Sequence, residues 1–432
     1  MIEHRKPIKV NEAIEKVMKY AKRGDIRYIP IEEAFGHFLG NDLIADHHVP
    51  PFDRSLYDGY AIRSEDTFGA TKSTPILLHV VGEIGAGSVF KNHVGSNEAV
   101  RIMTGAQIPD GCDAVIMLEM VLEKEVAGKT IIELNRSVKK GNNIAIIGED
   151  TKKGTVIITK GTYINPGVVA ILATFGYKNV PISQQPIVGI IATGSELLDV
   201  GEKLQPGKIR NSNAYMTYSQ IERAGGLPKY LGQFQDDFLT CYEQINDALD
   251  QVDFLITTGG VSVGDYDYLP AIYEKMGANI LFNKIAIRPG SVTTVAEKNG
   301  KLLFGLSGNP SACYVGFEHF MRPVIRTFLH SPKPFMKEVM ATLGADFAKP
   351  NPFDRFVRGR LSFESGKLVA TPGGLDKSNV VTSLGKANVL IVLPAGTRGY
   401  KKGMDITIIL LEDQEGMSFD MFLKTETMRK GD

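Results

Sequence analysis

The chain has 432 residues, with 49 Lys and Arg against 49 Asp and Glu, so its formal net charge is zero. That balance argues against a general nucleic-acid binder and against a polybasic membrane-surface protein, because both need excess positive charge to hold phosphate. A hydrophobic share of 43% and a charged share of 23% suit an ordinary globular protein of about three domains, and no apolar run approaches the ~18 residues of a membrane helix.

The segment from Met1 to Lys9 is charged and has no apolar signal core, so a cytoplasmic protein is expected. Val10 to Ala21 sets Ala13, Ile14, Val17, Met18 and Ala21 at helical spacing, with Asn11 as the expected cap. His47 and His48 are adjacent and would face opposite ways on an extended chain, which reads as surface loop rather than metal site. From Pro75 to Asn135, short runs such as ILLHVVGEI, AVIMLEMV and KTIIEL alternate with Gly, Pro and Asn, the texture of a small β domain. Asn165-Pro166-Gly167 opens a further helix that Gly176 stops.

After Ser183 the pattern alternates. Apolar strands PIVGIIATG, LPKYLGQFQ, VDFLITTGG, ILFNKIAI and KLLFGLSG are interleaved with helices AYMTYSQIERAGG, FLTCYEQINDALDQ and YLPAIYEKMG, followed by a long helix from Asn309 to about Leu329. Strands alternating with helices of this length predict a parallel sheet covered on both faces. From Pro332 the β texture returns, with a turn at Glu364-Ser365-Gly366-Lys367, and a sandwich or small barrel is expected. Cys112, Cys241 and Cys313 are widely spaced and odd in number, matching neither zinc nor thioredoxin spacing, so a reducing compartment is expected and oxygen ligands must carry any metal chemistry.

Ligands of open α/β sheets bind beyond the carboxyl ends of the strands. There this chain places Gly194-Ser195-Glu196, Asp236-Asp237, Gly259-Gly260-Val261-Ser262-Val263-Gly264-Asp265-Tyr266-Asp267 and Ser307-Gly308-Asn309-Pro310. Glycines admit a ligand close to the backbone, hydroxyls and amides bond its oxygens, and Asn309 before Pro310 predicts a capped helix start that attracts an anion. Neither G-x-G-x-x-G nor a Walker A pattern is present, against ordinary dinucleotide or P-loop chemistry.

Glu196, Asp236, Asp265 and Asp267 then need a reason to sit beside an anion. Two carboxylates about 4 Å apart repel by roughly 4 kcal/mol at an effective dielectric near 20, and a hard divalent cation removes the conflict by bridging them to phosphate-type oxygens. The commoner fate of any one such Asp is a solvated or capping role. Lys284 and Arg288, before Pro289-Gly290, can add positive charge to the same ligand or form a solvent-facing stripe. Two aromatic- and turn-rich stretches, Pro50 to Ala61 and Arg101 to Val115, offer Asp58 and Thr104 as ligand candidates. Composition goes no further than a metal-assisted site for an oxyanion or phosphate ester.

At these residues the chain resembles the molybdopterin molybdenumtransferase family, the bacterial MoeA and gephyrin E-domain type. PPFDRSLYDGYA, RIMTGAQIPDGCDAVI, ATGSELL, GKIRNSNAYM, TTGGVSVGDYDY, IAIRPG and GLSGNPSA occur in family order. The resemblance implies a multidomain α/β plus β fold. Its parts are an elongated linking and dimerisation domain from residues 1–50 and 137–183, an inserted β domain over 51–136, a three-layer α/β domain with a mainly parallel sheet over 184–331, and a C-terminal β barrel over 332–432. It implies a homodimer whose site lies between the α/β domain of one subunit and the inserted domain of the other.

The reaction so implied inserts molybdenum from molybdate into adenylylated molybdopterin and releases AMP, aided by Mg²⁺ or another divalent cation. Asp58, Thr104, Glu196, Asp236 and Asp267 carry over as functional residues. Asp58, Asp236 and Asp267, with Asp265 beside them, are assigned to cation or molybdate handling, Glu196 to cation or pterin contacts, and Thr104 to a hydrogen bond from the opposing subunit. Gly194, Ser195, Gly259, Gly260, Ser262, Gly264, Lys284, Arg288, Ser307, Gly308, Asn309 and Pro310 are the expected cradle for pterin and phosphate. The chain departs from many relatives by having Ser307 for Pro and by lacking a second Lys-Pro pair after Arg288-Pro289-Gly290. Neither membrane nor nucleic acid is implied, and transient contact with other cofactor-biosynthesis proteins is. Two other readings are an adenylyltransferase, which shares the TGGVSVGD-type domain but suits a single-domain chain, and a protein scaffold, which the retained acidic set disfavours. Residues 184–331 hold 12 basic and 15 acidic side chains, so the acidic excess falls where cation-bridged chemistry is expected.

Overall fold

The computed structural model describes residues 6–234, 238–259, 268–412 and 416–429. The chain divides into two compact units, one of residues 42–159 and 171–176 and one of the remainder.

The first unit is built on a six-stranded sheet. Its order is Ala114–Met117, Gly59–Ile62, Glu98–Ile102, Ile76–Ile84, Lys129–Leu134 and Leu122–Val126, with only Ile76–Ile84 and Glu98–Ile102 pairing parallel. Alternation sets the two faces. Tyr60 and Ile62 pack with Leu78, Ile116 and Ile132 on one side, while Ala61 packs with Ile84, Val100, Ile102 and Val115 on the other. The β domain predicted over Pro75 to Asn135 is therefore present, and the strand Gly59–Ile62 joins it from the stretch that composition left irregular.

In the second unit, a six-stranded sheet runs Leu227–Phe234, Ile187–Thr193, Phe254–Thr258, Lys301–Leu306, Thr294–Lys298 and Asn279–Phe282. The first four strands pair parallel and the last two antiparallel. Burial on both faces explains the unbroken apolar runs. Val188, Ile190, Ala192, Phe254, Ile256, Leu302 and Phe304 face helices Val10–Met18, Asn213–Ala224 and the long helix after Pro310. Ile191, Leu255 and Leu303 face helices Phe238–Leu249 and Leu269–Lys275. Each such Val, Leu, Ile or Phe side chain, fully buried, contributes about 1.5–3 kcal/mol.

Several expectations change. Asn11 lies inside the first helix, whose cap position is Lys9. The run ILFNKIAI is not one strand. Asn279–Phe282 stays in the sheet, but Ile8 pairs with Ile285 and draws the chain away, and Ile287–Arg288 pairs parallel with Asp354–Arg355 of the C-terminal sheet. The strand Thr294–Lys298 pairs on both sides, and it escaped the sequence reading because its short TVAEK run ends in charged residues. The helix from Pro310 to Phe328 is continuous but widens to a π turn over Phe317–Met321. Pro323 lacks the N–H that an α ladder needs at that point, and the wider turn accommodates it. Within the turn Glu318 is wholly buried. Gln220 donates to its Oε1 at 2.7 Å, Arg223 bonds the same oxygen, and Arg322 lies 3.7 Å from Oε2.

C-terminally, Glu338–Leu343, Asp354–Glu364, Lys367–Pro372, Val389–Leu393 and Asp405–Leu410 close into a five-stranded barrel, sealed where Arg355 to Gly359 pair with Val389 to Leu393. Ser365 and Gly366 take positive φ in the predicted turn. The barrel interior is Leu343, Val357, Ala370, Ile391 and Ile408, while Phe356, Leu390, Val392 and Ile409 on its outside join the α/β core. Asp376 is 7% exposed at its side chain and binds two buried arginines, Arg355 at 2.6 Å and Arg358 at 3.2 Å. Asp376→Ala leaves both cations without their shared carboxylate; we expect a loss of about 3–5 kcal/mol in urea unfolding, whereas exposed Asp346→Ala changes it little.

Candidate active site

Three adjacent parallel strands end side by side at Thr193, Thr258 and Leu306. Parallel pairing makes their following loops converge on one edge, which is the crevice expected of open α/β sheets. Gly259 donates its N–H to the Leu306 carbonyl at 3.0 Å. Its φ is +97°, and a Cβ there would stand 2.4 Å from the Thr193 carbonyl oxygen, so only glycine fits. A Cβ on Gly308 would lie 3.7 Å from the Gly259 Cα. Gly259 therefore packs against Thr193, the residue before Gly194, and lies beside Gly308.

Glu196 is exposed and folds back over Gly194, where a Cβ would come within 2.6 Å of its Oε2. Gln233 Nε2 donates to the Gly194 carbonyl at 3.2 Å and to that of Leu197 at 3.1 Å. Lys208 Nζ donates to the Ser195 carbonyl, and the Glu196 carbonyl accepts from Ile209 N–H at 2.9 Å. The acidic loop is thus tied to the GKIRNSN segment.

The Ser307-Gly308-Asn309-Pro310 loop is held from two sides. Asn213 Nδ2 donates to the Gly308 carbonyl at 2.8 Å. Ser311, one residue into the helix, donates N–H to Ser378 O at 3.0 Å and Oγ–H to Val380 O at 2.7 Å. The barrel loop carrying Ser378 and Val380 is anchored in turn by the Asp376 arginines. Asn309 occupies the cap position, but its side chain makes no cap bond; its carbonyl accepts from Ala312 and Cys313 N–H, and its own N–H donates to the Ser307 hydroxyl at 3.2 Å. The departure to Ser307 therefore adds a hydroxyl that turns onto its own loop.

Of the two basic candidates, Arg288 is exposed, with its guanidinium 5.9 Å from the Phe353 ring centre, and belongs to the strand paired with the barrel. Gly290, φ +97°, packs against Ala312, which brings that segment beside the helix start. Lys284 accepts at its carbonyl from Ile8 N–H at 3.2 Å and does not end the strand. Asp236, Gly260, Ser262, Gly264, Asp265 and Asp267 lie outside the described residues. Sequence reasoning missed Asn213, Gln233, Ser311 and the barrel loop; Asn213 and the barrel loop had a signal in the polar, small-residue composition of GKIRNSN and TPGGLDKSN, and the other two had none.

In the other unit, the Asp58 Oδ1 accepts from Thr104 N–H at 2.7 Å and from Thr104 Oγ–H at 2.8 Å. The backbone bond and then the hydroxyl bond from Thr104 hold the Asp58 carboxyl below its ordinary pKa, with Arg101 adding a smaller pull. Local geometry fixes the pair. Ser55 is buried, donates Oγ–H to Tyr57 O at 2.6 Å, and accepts Gly105 N–H at its carbonyl at 2.8 Å; Gly105 has φ +82°. A Cβ on Gly59 would meet the Ile116 carbonyl at 2.1 Å, so the residue after Asp58 must be glycine.

Among the described residues no group of three or more His, Cys, Asp or Glu could hold a metal ion. Of the five carboxylates predicted to share a cation, Asp58 and Glu196 are described, in separate units. Nor is any described helix long and apolar enough to cross a membrane.

A mainly parallel sheet with glycine- and amide-rich loops at its carboxyl edge, combined with a sheet unit and a closed barrel, defines a multidomain α/β protein with a crevice suited to an oxygen-rich anionic ligand. Residues 8–176 match the MoeA N-terminal region (domain I and II), 189–327 a probable molybdopterin binding domain, and 340–411 the MoeA C-terminal region (domain IV). A molybdopterin molybdenumtransferase of Bacillus subtilis is 54% identical over 416 residues, 96% of this chain and 97% of its own. One from Staphylococcus aureus strain Mu50 is 46% identical over 412 residues, 95% and 97%. The structure of a molybdopterin biosynthesis MoeA protein from Pyrococcus horikoshii superposes with a TM-score of 0.83 at 29% identity, covering 94% of this chain and all of that one. The chain belongs to the molybdopterin molybdenumtransferase family.

Because its folded pKa is depressed, ionised Asp58 adds stability above its unfolded pKa, and that contribution is lost as pH falls through the lower folded pKa. Thr104→Val removes the hydroxyl bond and keeps the backbone one; the Asp58 carboxyl should then titrate at higher pH by ¹³C NMR, short of its ordinary value.

Proposed function

We propose that the chain is a molybdopterin molybdenumtransferase, which takes adenylylated molybdopterin and molybdate and yields molybdenum cofactor and AMP. The near-full-length match to curated molybdenumtransferases through all three family regions carries this reading. The crevice geometry supports it. Gly308, where the nearest described neighbour of an added Cβ is the Gly259 Cα at 3.7 Å, leaves room for a phosphate against the backbone, and the dithiolene sulfurs belong to the substrate, which accounts for a site without Cys or His ligands. Gly194, Ser195, Gly259, Gly260, Ser262, Gly264 and Ser307 to Pro310 form the cradle, with Lys284 and Arg288 as its positive charge.

Asp58, Glu196, Asp236, Asp265 and Asp267 are the proposed oxygen donors for Mg²⁺ or a similar cation. Such a hard ion takes carboxylates and, when bound, neutralises charge on the phosphate and oxyanion. The described donors fit it in kind, although they complete no cluster by themselves. Thr104 holds Asp58 ionised and oriented. The proposal includes a cytoplasmic homodimer, with Asp58 and Thr104 of one subunit serving the α/β crevice of the other. It also includes a linking domain of residues 1–50 and 137–183, an inserted domain of 51–136, an α/β domain of 184–331 and a barrel of 332–432.

Purified protein with adenylylated molybdopterin, molybdate and Mg²⁺ should release AMP and form active cofactor, and EDTA should stop it. No AMP from verified substrate would sink the reading; pyrophosphate from ATP and molybdopterin would favour the adenylyltransferase instead. Asp236→Asn and Asp267→Asn should each cut turnover by at least about 100-fold, the scale of a lost transition-state contact. Asp58→Asn and Glu196→Gln should each be nearly inactive alone and regain activity when the two inactive chains are mixed and re-associated, because one of the two sites in a mixed dimer is then intact.

A further inference from the structure

We propose that Asn213 is a positioning residue that sets the peptide plane of Gly308–Asn309 in the ligand loop. Its side chain bridges 95 positions of sequence, from the first residue of helix Asn213–Ala224 to the Gly308 carbonyl, at 2.8 Å. In a trans peptide the carbonyl and the next N–H point opposite ways, so anchoring the Gly308 oxygen also aims the Asn309 N–H. Among the described residues that N–H meets only the Ser307 hydroxyl, at 3.2 Å, a long bond that a phosphate oxygen can replace.

Asn213 is 8% exposed, and its Oδ1 is enclosed without a hydrogen-bond partner. A buried acceptor left unpaired is a cost that an apolar residue of similar size would not carry. The donor half of the amide explains why it is there. A neutral carboxamide is also the right clamp beside an anion site, because it fixes the carbonyl without contributing charge. Gln233 makes a similar but exposed hold on the Gly194 carbonyl, and Gly259, the last described residue before the third loop, is held through its N–H to the Leu306 carbonyl. Asn213 is the buried member of this set, and it acts through the loop rather than by touching substrate.

The test rests on the proposed reaction for its kinetic arm and is independent of it in the other. Asn213→Leu removes both the donor and the orphan acceptor. KM for adenylylated molybdopterin should rise about ten-fold, the factor for a loss of roughly 1.4 kcal/mol, with kcat within two-fold and Tm unchanged or higher. Asn213→Asp cannot donate when ionised but can when protonated, so its KM should fall back toward wild type as pH is lowered, while the wild-type ratio stays flat. In the ligand-free protein, amide exchange should quicken in a peptide spanning residues 305–312 and not in one spanning 192–198, with Gln233→Leu giving the reverse. A lowered Tm with unchanged KM, or exchange spread evenly over both peptides, overturns the proposal. If wild type releases no AMP yet the exchange pattern appears, the reaction assignment fails and the clamp stands.

Discussion

The parallel pairing of Ile187–Thr193, Phe254–Thr258 and Lys301–Leu306 is the constraint on which the rest of the second unit depends. Strands that run the same way must deliver all their following loops to one edge, and crossovers of helix length must cover both faces. The interior runs of Val, Ile, Leu and Phe meet the second demand, and the glycines at 194, 259 and 308 meet the first. Where the last two strands turn antiparallel, the glycine-rich loops give way to the segment after Asn279–Phe282, which carries the two basic candidates Lys284 and Arg288.

Around that edge the molecule uses polar contacts for position rather than for bulk stability. Glu318 lies in a π turn where three basic or amide side chains from two helices reach it, tying the long helix to Asn213–Ala224. Asp376 does the corresponding work in the barrel, and its loop returns to the helix start through Ser311. Buried charge is poor value for stability when an apolar core is the alternative, since desolvation offsets most of the attraction. What these groups supply is register, so that one helix start meets two flanking segments in a single arrangement.

Much of the fold was legible because it rests on periodicity. The alternation after Ser183, the glycine stop at Gly225 with φ +98° and the turn at Ser365-Gly366 are local facts, and they formed as read. Asn165 does cap its helix, accepting from Val168 N–H at 3.0 Å, whereas Asn309 in a similar setting does not. The difference lies in the surroundings, because the residues after Asn309 are also held by the barrel loop. ILFNKIAI misled for a related reason. Its pattern is strand-like throughout, but its second half is taken by Ile8 and by the C-terminal sheet, partners 277 and about 70 positions away.

The sequence by itself determined which residues are candidates for the proposed site: small loops after apolar strands, carboxylates rather than thiols or imidazoles, and the Asp58 and Thr104 stretches. Those follow from composition and order along the chain, which no folding is needed to read. Tertiary structure alone decided which carbonyls are clamped and by what. The Asn213 bond to Gly308 and the Ser311 bonds to Ser378 and Val380 join residues with no common periodicity. Hydrogen bonds of that kind depend on distances of a few tenths of an ångström between remote segments, and a one-dimensional pattern carries no such information.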